Sequence, residues 1–215
     1  MNPDNSSKGI ILGRIRKALI KKRALPDHVA ENNLQSIYRA ENESLDVVFA
    51  KNFTELQGKF VYCENHQQLI DKLKQLSEAR KWNHLFCWDL KLQELFVMHQ
   101  FKKMRIGRSL DKADAGITSC ECLIARTGTV LLSSAGESGR ALSIFPAVHI
   151  VIAKASQIVF DIEDALEMLT KKYDGHLPSM INLETGPSRT ADIEKTLVLG
   201  AHGPKEVYVF LIDNQ

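Results

Sequence analysis

The chain has little cysteine, and none of it is paired at short range. Cys63, Cys87, Cys120 and Cys122 form no Cys-x-x-Cys unit, and four are too few to staple 215 residues. The expected state is a set of reduced thiols, buried or half-buried. Cys120 and Cys122, at alternate positions, would share one face of a strand and offer two metal ligands. The other two cysteines lie far upstream, so no metal site is expected. Long apolar runs are missing as well: each is interrupted within about ten residues, short of a bilayer span. The opening MNPDNSSKG has no apolar signal core, and a cytoplasmic protein with no membrane span is the expectation. No single charge sign dominates: a net charge of +2 exerts no overall pull on nucleic acid, which is not expected as a partner. G-x-G-x-x-G, P-loop and G-x-S-x-G motifs are all lacking. Dinucleotide, nucleoside triphosphate and serine hydrolase functions therefore have no motif behind them.

What is present is a globular composition, 44% apolar and 25% charged, at a length that suits one domain plus an appendage. The appendage is residues 1–43. Within it, residues 9–23 repeat Ile11, Ile15, Ala18 and Leu19 at helical spacing among Arg14, Arg16, Lys17, Lys21, Lys22 and Arg23. A basic amphipathic helix is expected there, an arm that docks its apolar stripe on its own domain or on a partner subunit. Nucleic acid or a membrane surface is the alternative. Residues 24–43, with Pro26 and many Asn and Glu, read as a connecting segment.

Over 44–215 the hydrophobic period switches repeatedly between two and 3.6, which predicts an α/β domain with a mostly parallel sheet flanked by helices. Asp46–Ala50 (DVVFA), Lys59–Cys63 and Leu85–Trp88 read as strands, and Gln67–Ala79 and Leu90–Gln100 as helices. Glu121–Ala125 and Thr129–Ser133 read as a hairpin turning at Gly128 with positive φ. Ala147–Ala153 (AVHIVIA) has the unbroken apolarity of a central strand buried on both faces, with His149 as a satisfied core histidine. Gln157–Phe160 reads as a strand. Asp161–Tyr173 reads as a helix capped by Asp161 with Asp164 as its capping-box acid. Met180–Glu184 and Glu206–Ile212 are the last two strands.

Between these last strands lies the most chemical segment, with two Gly-Pro pairs, Gly186-Pro187 and Gly203-Pro204. In an open α/β sheet, ligands bind beyond the carboxyl ends of strands, on loops leading into helices, and Thr185–Arg189 suits that position. Gly186 can bring backbone close to a ligand. Ser188 is a candidate N-cap, and Arg189 a candidate bidentate clamp for a carboxylate or phosphate. Asp192 and Glu194 would fall in the first turn of that helix, where they satisfy its dipole and repel a phosphate. Arg189 can equally pair with Asp192 and brace the loop. His202 is a candidate general acid/base, with a capping role as its structural counterpart. Arg140, after a Gly/Ser loop, is a second anion contact. Glu137 in AGESG is either a nucleophile or a solvated loop acid.

TGPSRTADIE (Thr185–Glu194), LVLGAHGP (Leu197–Pro204) and the closing strand resemble the C-terminal signature of the lactate-utilization (LUD) domain family, in its lactate-utilization protein C branch. ADAGIT (Ala113–Thr118), IARTGTV (Ile124–Val130), and Arg140 followed by Pro146–Val151 resemble the family's middle blocks in the same order. The likeness covers roughly residues 45–213. It departs at Arg126, where the family pattern has an acid, and at Cys120-Glu-Cys122. The resemblance implies a three-layer α/β fold similar to the superfamily of sugar-phosphate isomerases and CoA-transferases. It implies a part in oxidising L-lactate to pyruvate, beside a cysteine-rich redox subunit and an iron–sulfur subunit. The clusters would be held by those partners, with no cofactor bound by this chain.

The expected ligand contacts are Thr185, Gly186, Ser188, Arg189, Thr190, Asp192 and Gly203, joined by Arg140, Thr127 and Gly128, for a small carboxylate or a partner subunit. The competing functions are a stand-alone acyl-CoA or phosphosugar-type transferase or isomerase, with Glu137 or Glu184 as nucleophile, and a regulatory module using the basic helix.

Overall fold

The computed structural model describes residues 11–14, 16, 17, 43–190 and 198–213. The chain divides into two units, residues 1–40 and 41–215. In the first, residues 11–14, 16 and 17 are helical, within the span expected to be a helix. The rest of that helix, and the connecting segment up to residue 42, lie outside the described residues.

In the second unit the order is α1 (Leu45–Glu55), β1 (Lys59–Cys63), α2 (His66–Ala79), β2 (Leu85–Cys87), α3 (Leu90–Met98), β3 (Met104–Arg105), β4 (Ala115–Thr118), β5 (Cys122–Ile124), β6 (Thr129–Ser133), β7 (Val148–Lys154), β8 (Ile158–Val159), α4 (Ile162–Lys172), β9 (Ile181–Glu184), β10 (Arg189–Thr190), β11 (Val198–Leu199) and β12 (Glu206–Ile212). Six strands form one sheet in the order β1-β12-β7-β4-β2-β3, with every neighbouring pair parallel. The fold is α/β with a mostly parallel central sheet flanked by helices, as the alternating periods predict.

Strand alternation divides the core. Val148, Ile150 and Ile152 of β7, with Tyr208, Phe210 and Ile212 of β12, face α2 and α3 and meet Leu69, Leu73 and Phe96. Val151, Ala153, Val207, Val209 and Leu211 face the opposite way. What covers them is α1, through Val48, Phe49 and Phe53, together with a second sheet of order β8-β5-β6-β9. The far side of that second sheet is closed by Ala165 and Leu169 of α4. The expected three layers thus gain a sheet beneath the main one, because the β5–β6 hairpin pairs with β8 and β9 instead of extending the parallel sheet.

Three expectations change. Asp46–Ala50 is helical, not a strand. A window of five residues cannot show a 3.6-residue period, whereas Phe49 and Phe53, four apart and stacked 5.3 Å centroid to centroid, declare it. Cys120 and Cys122 do not share a face: β5 begins at Cys122, which packs under α4, while Cys120 packs against the inter-sheet cluster. And no helix starts at Ser188, since Arg189 and Thr190 pair with Leu199 and Val198 as a short antiparallel ladder. The helix cap at Ser188 is thereby lost, and Asp192 and Glu194 lie outside the described residues.

The hairpin turn docks on the end of α1. Gly128 has φ +58°, and a Cβ there would sit 2.5 Å from the Phe53 nitrogen. Asn52 donates its side-chain amide to the carbonyls of Ala125 (2.9 Å) and Arg126 (3.0 Å). Phe53 is fully buried at this junction. Phe53→Ala is expected to lower unfolding free energy by about 3–5 kcal/mol, measured by urea denaturation.

Candidate functional site

The two Gly-Pro loops fold onto each other. The Ser188 N–H donates to the Pro204 carbonyl and the Gly200 N–H to the Ser188 carbonyl, both at 2.9 Å. Gly203 has no side chain because Ser188 occupies the space: an added Cβ would lie 3.0 Å from its Cβ. Together with Asn182, Ser143 and Ile144 they enclose a cavity of about 300 Å³, which His202 and Glu184 also line. The cavity lies at the amino ends of β7 and β12, beyond the carboxyl end of β9 in the second sheet. It is not at the carboxyl edge of the parallel sheet, where the loop was expected.

Glu184 stands opposite Val130 in the ladder, so it points into the layer between the sheets. There His149, fully buried, places Nδ1 2.7 Å from Glu184 Oε2 and Nε2 2.9 Å from Thr118 Oγ1. The sequence suggested a satisfied core histidine, and both ring nitrogens are indeed engaged. It gave no indication of the partners, which come from strands 31 and 35 residues away.

Thr118 ends β4, and beyond it opens a second cavity, also of about 300 Å³, at the carboxyl edge of the parallel sheet. Its wall runs from Ser119 and Glu121 through the Gly136–Gly139 loop to Lys172 and Tyr173, and Ser143 borders both cavities. Glu121 accepts from Lys172 Nζ and Tyr173 OH, each at 2.7 Å, and from Ser133. Burial would raise its carboxyl, but these donors and the Lys172 charge outweigh that and hold it below the usual range. The local signal in the sequence was SSAGESG, a Gly/Ser loop directly after a strand.

Of the expected contacts, the structure gathers Thr185, Gly186, Ser188, His202 and Gly203 around the first cavity. Gly186, φ +79°, is also required by packing, since a Cβ would lie 2.6 Å from the Leu56 carbonyl oxygen. Arg189 turns away to donate to that same carbonyl at 2.6 Å, which answers the carboxyl end of α1. Thr190 sits in the ladder beside it. Thr127 and Gly128 form the turn on α1, and Arg140 donates to Ser179 Oγ at 2.6 Å, so none of the three lines either cavity. Glu137 accepts from the Leu90 N–H at the start of α3, next to the Asp89 cap. Asp192 is outside the described residues.

Burial pushes the Cys87 and Cys122 thiols up to about 12, and raises Cys63 and Cys120 as well, so all four remain protonated near neutral pH. Among the described residues, no group of three or more His, Cys, Asp or Glu side chains is arranged to hold a metal ion. Among the same residues, no helix is long and apolar enough to cross a membrane.

A parallel six-stranded sheet backed by a smaller sheet, with Gly-Pro loops closing one end, defines the architectural class. The fold is similar to that in a crystal structure of a DUF162 family protein from Deinococcus radiodurans, at a TM-score of 0.57 and 20% identity, covering 80% of this chain and 99% of that one. Residues 79–212 match the LUD domain family, and the chain belongs to that family. Similar relatives are the lactate utilization protein C of Macrococcus caseolyticus, 28% identical over 97% of both chains, and that of Anoxybacillus flavithermus. The latter is 31% identical over 81% of this chain and 83% of its own.

Arg126, the departure from the family pattern, has a structural task. Its guanidinium clamps Asp161, Nε to Oδ2 at 2.8 Å and NH2 to Oδ1 at 2.7 Å, and Asp161 caps α4. The hydrogen bonds from Arg126 hold the Asp161 carboxyl below its ordinary value of 3.8. A depressed carboxyl contributes stability that is complete above the ordinary value and is lost as pH falls through the lower folded one. Arg126→Ala should therefore cost about 1 kcal/mol at pH 7, a modest figure for a partly solvated pair. The difference from wild type should narrow as pH falls below that ordinary value, in pH-dependent urea melts.

Proposed function

We propose that this chain is a non-redox component of a lactate-utilization system, and that the cavity between the Gly-Pro loops holds a small carboxylate or a segment of a partner subunit. The observation that carries this role is the likeness along 97% of its length to a protein named lactate utilization protein C. Thr185 to Ser188 and His202 to Pro204, from the two Gly-Pro loops, wall much of the cavity.

The chemistry of the cavity suits a small oxyanion. Ser188, Asn182 and His202 offer side-chain donors, and the Glu184 carboxylate is already engaged by His149. Exposed Ile144 and Leu183 border the opening, with Phe145, 77% exposed, next in the chain, an apolar rim suited to a protein partner. In such a system the electrons of lactate oxidation pass to iron–sulfur and cysteine-rich redox partners, and this chain contributes binding. Its own thiols are raised by burial and so held protonated.

Titration calorimetry with L-lactate and with pyruvate is the direct test, on the chain alone and with its partner subunits. Ser188→Ala or Asn182→Ala should weaken binding about five- to tenfold, the worth of one lost hydrogen bond. Arg189→Ala, whose side chain faces Leu56, should leave the affinity unchanged. The absence of heat with wild type in both settings would remove the small-carboxylate role.

A further inference from the structure

Three side chains far apart in sequence form a single hydrogen-bonded line between the sheets: Thr118, His149 and Glu184. A carboxylate can only accept. With Glu184 ionised, the ring proton of His149 sits on Nδ1, Nε2 presents its lone pair, and the Thr118 hydroxyl donates to it. That is the order of roles an activated hydroxyl requires: a nucleophile, a base within hydrogen-bond reach, and a third group that orients the base. The line is shielded from bulk solvent, the three residues being 1%, 0% and 8% exposed.

The Thr118 end nevertheless borders the cavity at the carboxyl edge of the parallel sheet, with Ser119, Ser138, Ser143 and Lys172 in the same wall. Ser138 supplies a second, independent observation: its hydroxyl is buried and has no hydrogen-bond partner. A buried donor left unmatched costs stability, and one lining a cavity is satisfied when a ligand oxygen arrives.

We propose that Thr118 is the nucleophile of an acyl-transfer site, with His149 as its base and Glu184 as the residue that positions the imidazole. The substrate class is a short, oxygen-rich carboxylic ester or thioester. The cavity volume admits only a small molecule, and Thr118, Ser119, Ser133, Ser138, Ser143 and Tyr173 bring hydroxyls to its wall. Thr118 Oγ1 bonds to the acyl carbon as its proton passes to His149 Nε2. The carbon–oxygen or carbon–sulfur bond to the leaving group breaks, and the departing alcohol or thiol takes that proton. Water, deprotonated by the same nitrogen, then attacks the acyl-threonine and releases the carboxylic acid, returning the proton to Thr118. Ser138 donates a hydrogen bond to the substrate. None of this depends on the lactate-utilization role, because it concerns the other cavity.

The test uses the full chain and p-nitrophenyl acetate, reading the p-nitrophenol burst, the intact mass and the acetylated peptide. The expected result is one acetyl group, on Thr118. Thr118→Ser should retain the burst, and Thr118→Val, nearly the same shape, should abolish it. His149→Gln should slow it about 100-fold, the scale of a lost general base. Glu184→Gln should slow it less and displace the His149 imidazole nitrogen resonances from the Nδ1–H tautomer, a readout that a purely packing role would leave in place. Should His149→Gln fail to fold, the Thr118 pair decides. An unlabelled wild type, acetylation at another residue, or an undiminished burst in Thr118→Val would each overturn the proposal.

Discussion

Among the described residues one polar ring is buried between the two sheets, and it is answered at both nitrogens. β7 runs through the centre of the parallel sheet, and its alternation sends Val151, Ala153 and His149 to the same side. An imidazole there without partners would forfeit its hydration and gain nothing in return. Glu184 from the second sheet and Thr118 from the neighbouring strand restore both hydrogen bonds. Each partner is buried on the same terms, so removing any one would strand the others. The line joins β4 and β7 of the main sheet to β9 of the second. One cavity opens beyond Thr118, the other beside Glu184.

A second junction explains why the family's blocks, distant in sequence, are adjacent in space. The carboxyl end of α1, Asn52 to Leu56, receives the IARTGTV turn through Asn52 and Gly128 and the TGPSR loop through Gly186 and Arg189. At two of these contacts a β-carbon would collide with backbone. Glycine there serves a close approach, which at Gly186 is to the Leu56 carbonyl. Arg189 likewise serves the helix end. A motif can thus be specific to a family because it closes a fold, while the group in it that faces a cavity is a quieter member, Ser188.

The strand–helix alternation over β1 to α3, the turn at Gly128, the Asp161 capping box and the closing strands were legible, since each is a local pattern with a local cause. The helix α1 was misread because a five-residue apolar run carries no period. The face shared by Cys120 and Cys122, and the helix cap at Ser188, were misread for a related reason. Where a strand begins, and whether a loop finds a ladder partner in Val198 and Leu199, depend on segments outside any local window. Of the site residues, the Gly-Pro loops advertised themselves. Thr118 and Ser138 did not, because a hydroxyl next to a glycine-rich turn is ordinary until the cavity around it is known.

By itself the sequence determined the periodicities, and through them the elements and the α/β class, because hydrophobic burial at intervals of two and 3.6 residues is encoded along the chain. Only the tertiary structure decided which polar groups face one another. Hydrogen bonding acts over about 3 Å, and the partners of His149 are set by strand order and register, not by proximity in sequence.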